Sequence, residues 1–156
     1  ENMTMGELHD ELKVKGAELL LEVIEDIEAG KAQPEKQSEE EATYASLLKR
    51  EMERIDWSKS AEDIHNLIRG FNPAPGAFTK LPDGKNLKIW GSRLTDKATT
   101  AEPGTVVEAT KHSFFVACGN GVLEIIEVQP ESKKRMAAQV FINGRGVQVG
   151  DVLGKE

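Results

Sequence analysis

Between Gly6 and Ala29 the apolar residues Leu8, Leu12, Leu20, Val23 and Ile27 recur at helical spacing, and Leu19 and Ile24 widen the stripe. This predicts an amphipathic helix of about five or six turns, which Gly30 is placed to end. Nothing nearby in the sequence offers a second layer for that stripe. Lys31 to Glu41 is polar and acidic and contains Pro34, so it reads as a linker, and Thr43 to Leu48 is a short segment suited to local packing. A second helix starts at Ser60, with Asp63 as its reciprocal capping partner and Ile64, Leu67, Ile68 and Phe71 on its buried face. Asn72-Pro73-Ala74-Pro75-Gly76 stops it, because proline disfavours helical geometry in its predecessor and lacks the amide that the ladder needs.

Past Gly76 the period shifts toward two. Strands are expected at Ala77 to Leu81, Leu87 to Leu94, Gly104 to Ala109, Phe114 to Cys118 and Val122 to Val128. Turn residues separate them, among them Pro82-Asp83-Gly84 and the Asn120-Gly121 pair, whose tolerance of positive φ marks a hairpin. Met136 to Ile142 reads as a short helix and Gly150 to Leu153 as a last short strand. The pattern predicts a mainly β chain with short helices, in the form of a small, partly open barrel preceded by an amphipathic helix and linker.

Charge sharpens this division. Residues 1–52 hold 6 Lys/Arg and 14 Asp/Glu, whereas residues 53–156 hold 14 and 13. A uniformly basic nucleic-acid coat is excluded, but a basic patch is not, and Lys133, Lys134 and Arg135 are contiguous. The single cysteine, Cys118, excludes an intrachain disulfide framework and a multi-thiolate zinc site, and fits a reducing cytosol. No apolar run approaches the roughly 20 residues that cross a bilayer, and the acidic N-terminus lacks a signal-peptide pattern, so a cytoplasmic location is expected.

Catalytic ingredients are few. His9, His65 and His112 have no cysteine or second histidine at metal-ligand spacing. His9 reads as solvent-facing or capping, His65 as packed or half-exposed and His112 as a surface turn residue. Cys118 ends an apolar strand and reads as core. Asp56, Glu62 and Asp63 read as caps and dipole partners, and the Gly-Asn-Gly and Gly-Arg-Gly runs at 119–121 and 144–146 as turns. What remains is binding. Lys133, Lys134 and Arg135 occupy a loop from which they can contact phosphates without reading bases, although a merely solubilising loop has the same composition. Arg54, Arg69, Lys80, Lys85, Lys88 and Arg145 are possible extensions, and Trp57 and Trp90 read as packing residues.

A set of ordered motifs then narrows the choice: Arg54-Ile55-Asp56-Trp57-Ser58, Ile68-Arg69-Gly70-Phe71-Asn72-Pro73-Ala74-Pro75-Gly76-Ala77, Leu87-Lys88-Ile89-Trp90, Glu102-Pro103-Gly104-Thr105, Val116-Ala117-Cys118-Gly119-Asn120-Gly121 and Gln129-Pro130-Glu131-Ser132-Lys133-Lys134-Arg135-Met136, followed by Asn143-Gly144-Arg145 and Gly150-Asp151. Together they resemble the bacterial methionyl-tRNA formyltransferase family over nearly the whole chain. The resemblance implies the C-terminal portion of a parent that moves a formyl group from 10-formyltetrahydrofolate to the methionyl amine of initiator tRNA. It implies that 1–30 is the last helix of an otherwise missing formyltransferase domain, 31–53 the linker, and 54–156 a C-terminal OB-like barrel that positions tRNA.

The family's catalytic asparagine, histidine and aspartate would lie upstream, so no catalytic residue, folate site or metal is expected here, and this portion alone is expected to be inactive. The expected partners are initiator methionyl-tRNA and the missing catalytic domain in cis, with no membrane and a monomeric parent. By the same resemblance Lys133 and Lys134 match the basic loop, with Arg135 beside them, and Arg54 the junction before the barrel. Arg145 stands where the family often has a basic residue, with in-domain hydrogen bonding an equal reading. Ala74 departs from the pattern, where tryptophan is frequent. A structural or interaction barrel of another folate-dependent formyltransferase is the alternative.

Overall fold

The computed structural model describes residues 2–155. Helix α1 spans Met5–Glu28 and opens on a capping box: the Thr4 hydroxyl accepts the Glu7 N–H at 3.3 Å, and the Glu7 carboxylate accepts the Thr4 N–H at 2.8 Å. None of its residues is buried, and Leu12, Leu19, Leu20, Leu21 and Ile27 are all more than half exposed. It is tied to the remainder at its start, where Gly6 N–H donates to the Asn72 carbonyl at 3.0 Å and Arg69 Nη1 donates to the Met3 carbonyl at 3.1 Å. A Cβ on Gly6 would stand 2.5 Å from Pro73 Cδ, so only glycine permits this approach. Residues 30–50, Thr43 to Leu48 included, are exposed throughout and lead to a short 3-10 helix at Arg50–Glu53.

Helix α2, Ala61–Gly70, starts where its cap predicts. Ser60 Oγ accepts the Asp63 N–H at 3.1 Å, and the hydroxyl donates to Asp63 Oδ2 at 2.7 Å, so the reciprocal bond runs through side chains rather than through the Ser60 amide. It ends before cis Asn72-Pro73 and Ala74-Pro75. The strands are β1 Ala77–Lys80, β2 Asn86–Leu94, β3 Val106–Ala109, β4 Phe114–Ala117, β5 Val122–Pro130 and β6 Met136–Ala137, and α3 follows at Ala138–Asn143. The expected helix from Met136 loses its first two residues because these pair with Val128 and Glu127 of β5.

All strands form one antiparallel sheet in the order β1-β2-β5-β4-β3, with β6 also on β5. The expected small OB-like barrel is therefore corrected: this is a mixed α/β fold with an open sheet. Closure requires the two edge strands to tilt and stagger into register, and β1 and β3, four residues each, never pair. The C-terminal segment occupies the space between them. Val106 N–H donates to the Asp151 carbonyl, Leu153 N–H to Gly104 and Gly154 N–H to Lys80, each at 2.8 Å, without forming a ladder. The last strand expected at Gly150 to Leu153 is thus reduced to a single bridge, Thr105 to Val152.

The core lies on one face of the sheet. Ile64 and Ile68 of α2 and Phe71 just after it meet Leu87 and Ile89 of β2, Phe114 and Val116 of β4, and Leu123, Ile125 and Val128 of β5, with Phe141 of α3 closing one side. Each fully buried side chain of this kind contributes about 1.5–3 kcal/mol. The Asn72–Gly76 turn and the ends of β2 and β5 are thereby held in fixed relation, and they carry the site described next.

Candidate nucleic-acid interface

Alternation along β2 sends Leu87 and Ile89 into the core and Lys88 to the other face. After Ile89 the register with β5 slips, so Gly91 opposes Glu127 and Trp90 is the extra residue. Such a bulge re-aims a side chain, and Trp90, only 8% exposed, is buried outside the contiguous core. The neighbouring turn closes on it. Gly76 has φ of +90°, and a Cβ there would meet the indole at 2.5 Å, while Asn72 Nδ2 donates to the Trp90 carbonyl at 2.9 Å.

This indole organises the basic residues. Lys88 Nζ stands 5.5 Å from the ring centroid and donates to the Pro75 carbonyl at 2.6 Å. Arg135 Cζ stands 5.1 Å from the same ring, and its guanidinium pairs with Glu127. Both are placed for cation–π attraction. Trp90 Nε1 donates to Gln129 Oε1 at 3.0 Å, and Gln129 Nε2 donates to the Lys133 carbonyl at 2.8 Å, so one amide ties the buried ring to the loop. Ser132, at φ of 61°, turns that loop, and Lys133 N–H donates back to the Pro130 carbonyl at 3.0 Å.

Lys133 and Lys134 are exposed, and among the described residues neither has a carboxylate partner. Several other cations are offset, Lys97 by Glu108, Lys85 by Asp83 and Lys155 by Glu102, whereas Lys80 and Lys111, which are not adjacent in the chain, also have no carboxylate partner among the described residues. The loop is thus a local positive surface on a chain that is acidic as a whole.

Lys133, Lys134 and Arg135 are brought together, then, and Lys88 joins them. Arg54 is not among them. It is half-buried, bridges Phe78, and donates from Nη2 to the Gly154 carbonyl at 3.0 Å. Phe78 pairs with Lys88 and Lys88 with Gln129, which puts the Arg54 backbone three strand spacings, roughly 14 Å, from that of Gln129. Arg145, exposed at φ of 55°, closes α3, whose Ala138 and Phe141 enter the core, and no hydrogen bond or ion pair among the described residues joins it to the Trp90 group. The alternation of β2 carried a signal for Lys88, whereas nothing local marked Gln129, whose role depends on the β2–β5 register.

The three histidines and Cys118 do not converge on one another. His9 is exposed beside Asp10, and His112 Nδ1 lies 3.3 Å from Gln139 Oε1. His65 is buried with Nδ1 2.9 Å from Ser92 Oγ; burial, and then the charge of Arg69, lower its pKa. Burial pushes the Cys118 thiol up to about 11. Among the described residues no cluster of His, Cys, Asp and Glu is poised to hold a metal, and no helix is long and apolar enough to cross a membrane.

Residues 47–146 match the family described as formyl transferase, C-terminal domain. The chain belongs to this family. The matched stretch holds the whole Trp90 group, from Asn72 to Arg135. The chain is 51% identical over 155 residues to the methionyl-tRNA formyltransferase of Bacillus subtilis (strain 168), covering 99% of this chain and 49% of that protein. It is 52% identical over 149 residues to the methionyl-tRNA formyltransferase of Symbiobacterium thermophilum, covering 94% of this chain and 45% of that protein. It spans about half the length of these relatives and matches their C-terminal half. In fold, this formyl transferase C-terminal domain is similar to crystal structures of HypX from Aquifex aeolicus. One variant matches with a TM-score of 0.62 at 21% identity, over 85% of this chain and 24% of that one, and another with 0.66 at 18%, over 90% and 26%.

Proposed function

We propose that this chain is the C-terminal part of a methionyl-tRNA formyltransferase and that its basic loop holds the phosphate backbone of initiator tRNA. The observation that carries this is the pair of exposed lysines, Lys133 and Lys134, without a carboxylate partner among the described residues, on a loop anchored through Gln129 to the buried Trp90. An anchored loop loses less freedom on binding than a floppy one, so its charges act at lower entropic cost. Lys88 adds to the potential, while the charge of Arg135 is offset by Glu127. The contacts set register and affinity and do not discriminate bases. Residues 54–156 act as the positioning domain, 31–53 as a linker, and 1–30 as the last helix of a catalytic domain, whose packing would cover the apolar stripe of α1.

In the whole enzyme the methionyl amine would attack the formyl carbon of 10-formyltetrahydrofolate, a new C–N bond forming as the bond from that carbon to the folate nitrogen breaks and a proton passing from the amine to that nitrogen. The chain described here orients the acceptor end and contributes no group to that step. Approximation of this kind counts because a correctly held pair of reactants reacts as if at high effective molarity. Binding by this half alone is weak, since it lacks the effective-concentration gain of two linked surfaces.

Titration of the chain with initiator tRNA at a series of salt concentrations tests the proposal. Log affinity falls with log salt, and Lys133→Ala/Lys134→Ala lowers affinity and reduces the slope by about 1.5, the share of two phosphate contacts. No binding at low salt by the folded chain, or an unchanged slope in the double variant, refutes it.

A further inference from the structure

Where the β2 bulge meets α2, two adjoining cavities open. The inner one, about 190 Å³, is lined by His65, Arg69, Trp90, Ser92 and Arg93 among others. The outer one, about 540 Å³, shares His65, Arg69 and Arg93 and adds Asn66 and Glu62. His65 is 5% exposed, and its Nε2 is buried with no hydrogen-bond partner. A buried polar atom left in that state is costly and rare in folded proteins.

Two arginines stand beside it, and among the described residues no carboxylate lines the inner cavity, while Glu62 lines the outer one and Glu124 faces Arg93. Arg69 commits Nε to Asn66 Oδ1 at 2.9 Å and Nη1 to the Met3 carbonyl at 3.1 Å, which fixes the guanidinium and leaves its other N–H groups available. Arg93 meets Glu124 only at 4.0 Å. His65 Nδ1 and the Ser92 hydroxyl share one hydrogen bond at 2.9 Å, which fixes the ring and leaves Nε2 as its second polar atom. Burial, and then the positive charge of Arg69, favour the neutral form of the ring.

We infer that this cavity is a site for a phosphate group, held by the guanidinium groups of Arg69 and Arg93 beside the buried ring of His65. Guanidinium groups match phosphate oxygens in geometry and charge, and water, at about 30 Å³ a molecule, shows the space to be ample for such a group. The group can belong to a free phosphate or phosphomonoester, or to a nucleic-acid backbone. Trp90 lines the inner cavity and also carries Lys88 and Arg135 on its ring, so the site adjoins the basic loop. It does not depend on that loop's role.

The test is NMR of the histidine-labelled full chain titrated with inorganic phosphate, against chloride at matched ionic strength. The His65 Nε2 resonance shifts saturably, Arg93→Gln weakens the response about tenfold, the loss of one charge-assisted bond, and Arg93→Lys restores part of it. Arg93 is exposed, so these variants leave the core alone. Lys133→Ala/Lys134→Ala leaves the phosphate response unchanged, which separates this site from the loop. If Arg93→Gln also weakens initiator tRNA binding, the phosphate is a backbone one; if tRNA binding is unchanged while the phosphate response falls, the ligand is a small phosphorylated molecule. Both outcomes support the site. No saturable shift at His65, an equal response in Arg93→Gln, or loss of the response in the double-lysine variant overturns it.

Discussion

Replacing Gln129 with leucine removes both bonds of its amide while nearly preserving its size. The Trp90 indole N–H loses its acceptor, and with Trp90 only 8% exposed, water cannot replace that acceptor well. An abandoned buried donor costs about 1–3 kcal/mol. The Lys133 carbonyl also loses a donor, but it lies on an exposed turn where water substitutes, so it adds little. Packing of the leucine methyls against the indole returns part of the cost, which leaves a net loss of about 1–2 kcal/mol. At a urea m-value of about 2 kcal/mol/M, the unfolding midpoint falls by roughly 0.5–1 M with the slope unchanged. Gln129→Glu keeps an acceptor for the indole but turns a carboxylate oxygen toward the Lys133 carbonyl, which the exposed turn relieves by moving toward water, so it recovers part of the stability. Urea titration followed by far-UV circular dichroism reads both. The reasoning is refuted if the leucine variant matches the parent, or if the glutamate variant is as unstable as the leucine one.

Other consequences follow from burial and close approach. The folded-state pKa of His65 is lowered, so just below the unfolded value of about 6.5 the unfolded chain binds more protons than the folded one. The resulting stability is complete above that value and falls as pH drops through it; His65→Gln flattens this part of the pH–stability curve, and superimposable profiles would count against it. A Cβ on Gly119 would stand 1.8 Å from the Ser58 carbonyl, so Gly119→Ala costs at least about 1–3 kcal/mol by urea titration. Gly144→Ala, at φ of −79° with no neighbour nearer than 3.5 Å, stays within about 0.5 kcal/mol, and similar losses for the two would contradict the packing argument. Cys118, with its pKa near 11 and 6% exposure, resists aromatic disulfide reagents in mildly alkaline buffer until the chain unfolds; native labelling at the denatured rate would show the thiol to be accessible.

Local elements were legible in the chain. The Ser60 cap and Pro73 bracket α2, and the stripe from Leu8 to Ile27 anticipates α1, because helix starts, stops and faces depend on residues a few positions apart. Five strands were expected within one or two residues of where they lie, since alternation and turn residues are equally local. The contiguity of Lys133, Lys134 and Arg135 also marked the loop without any structure.

Tertiary structure decided the rest. Whether β1 and β3 meet depends on strand length, on sheet twist, and on the C-terminal segment that bonds to both flanks, so an open sheet and a barrel share nearly one sequence pattern. Pairing of Met136 and Ala137 with β5 took two residues from an expected helix. Arg54 carries the charge expected of a phosphate contact yet bonds to Gly154 at the far side of β1, and Arg145 makes no bond to the Trp90 group among the described residues, whereas Gln129 and Trp90, neither of them charged, hold the loop in place. Charge is a property of a residue and can be read one letter at a time, but proximity is set by strand register across residues 72–135, and register is fixed only when the core face is buried.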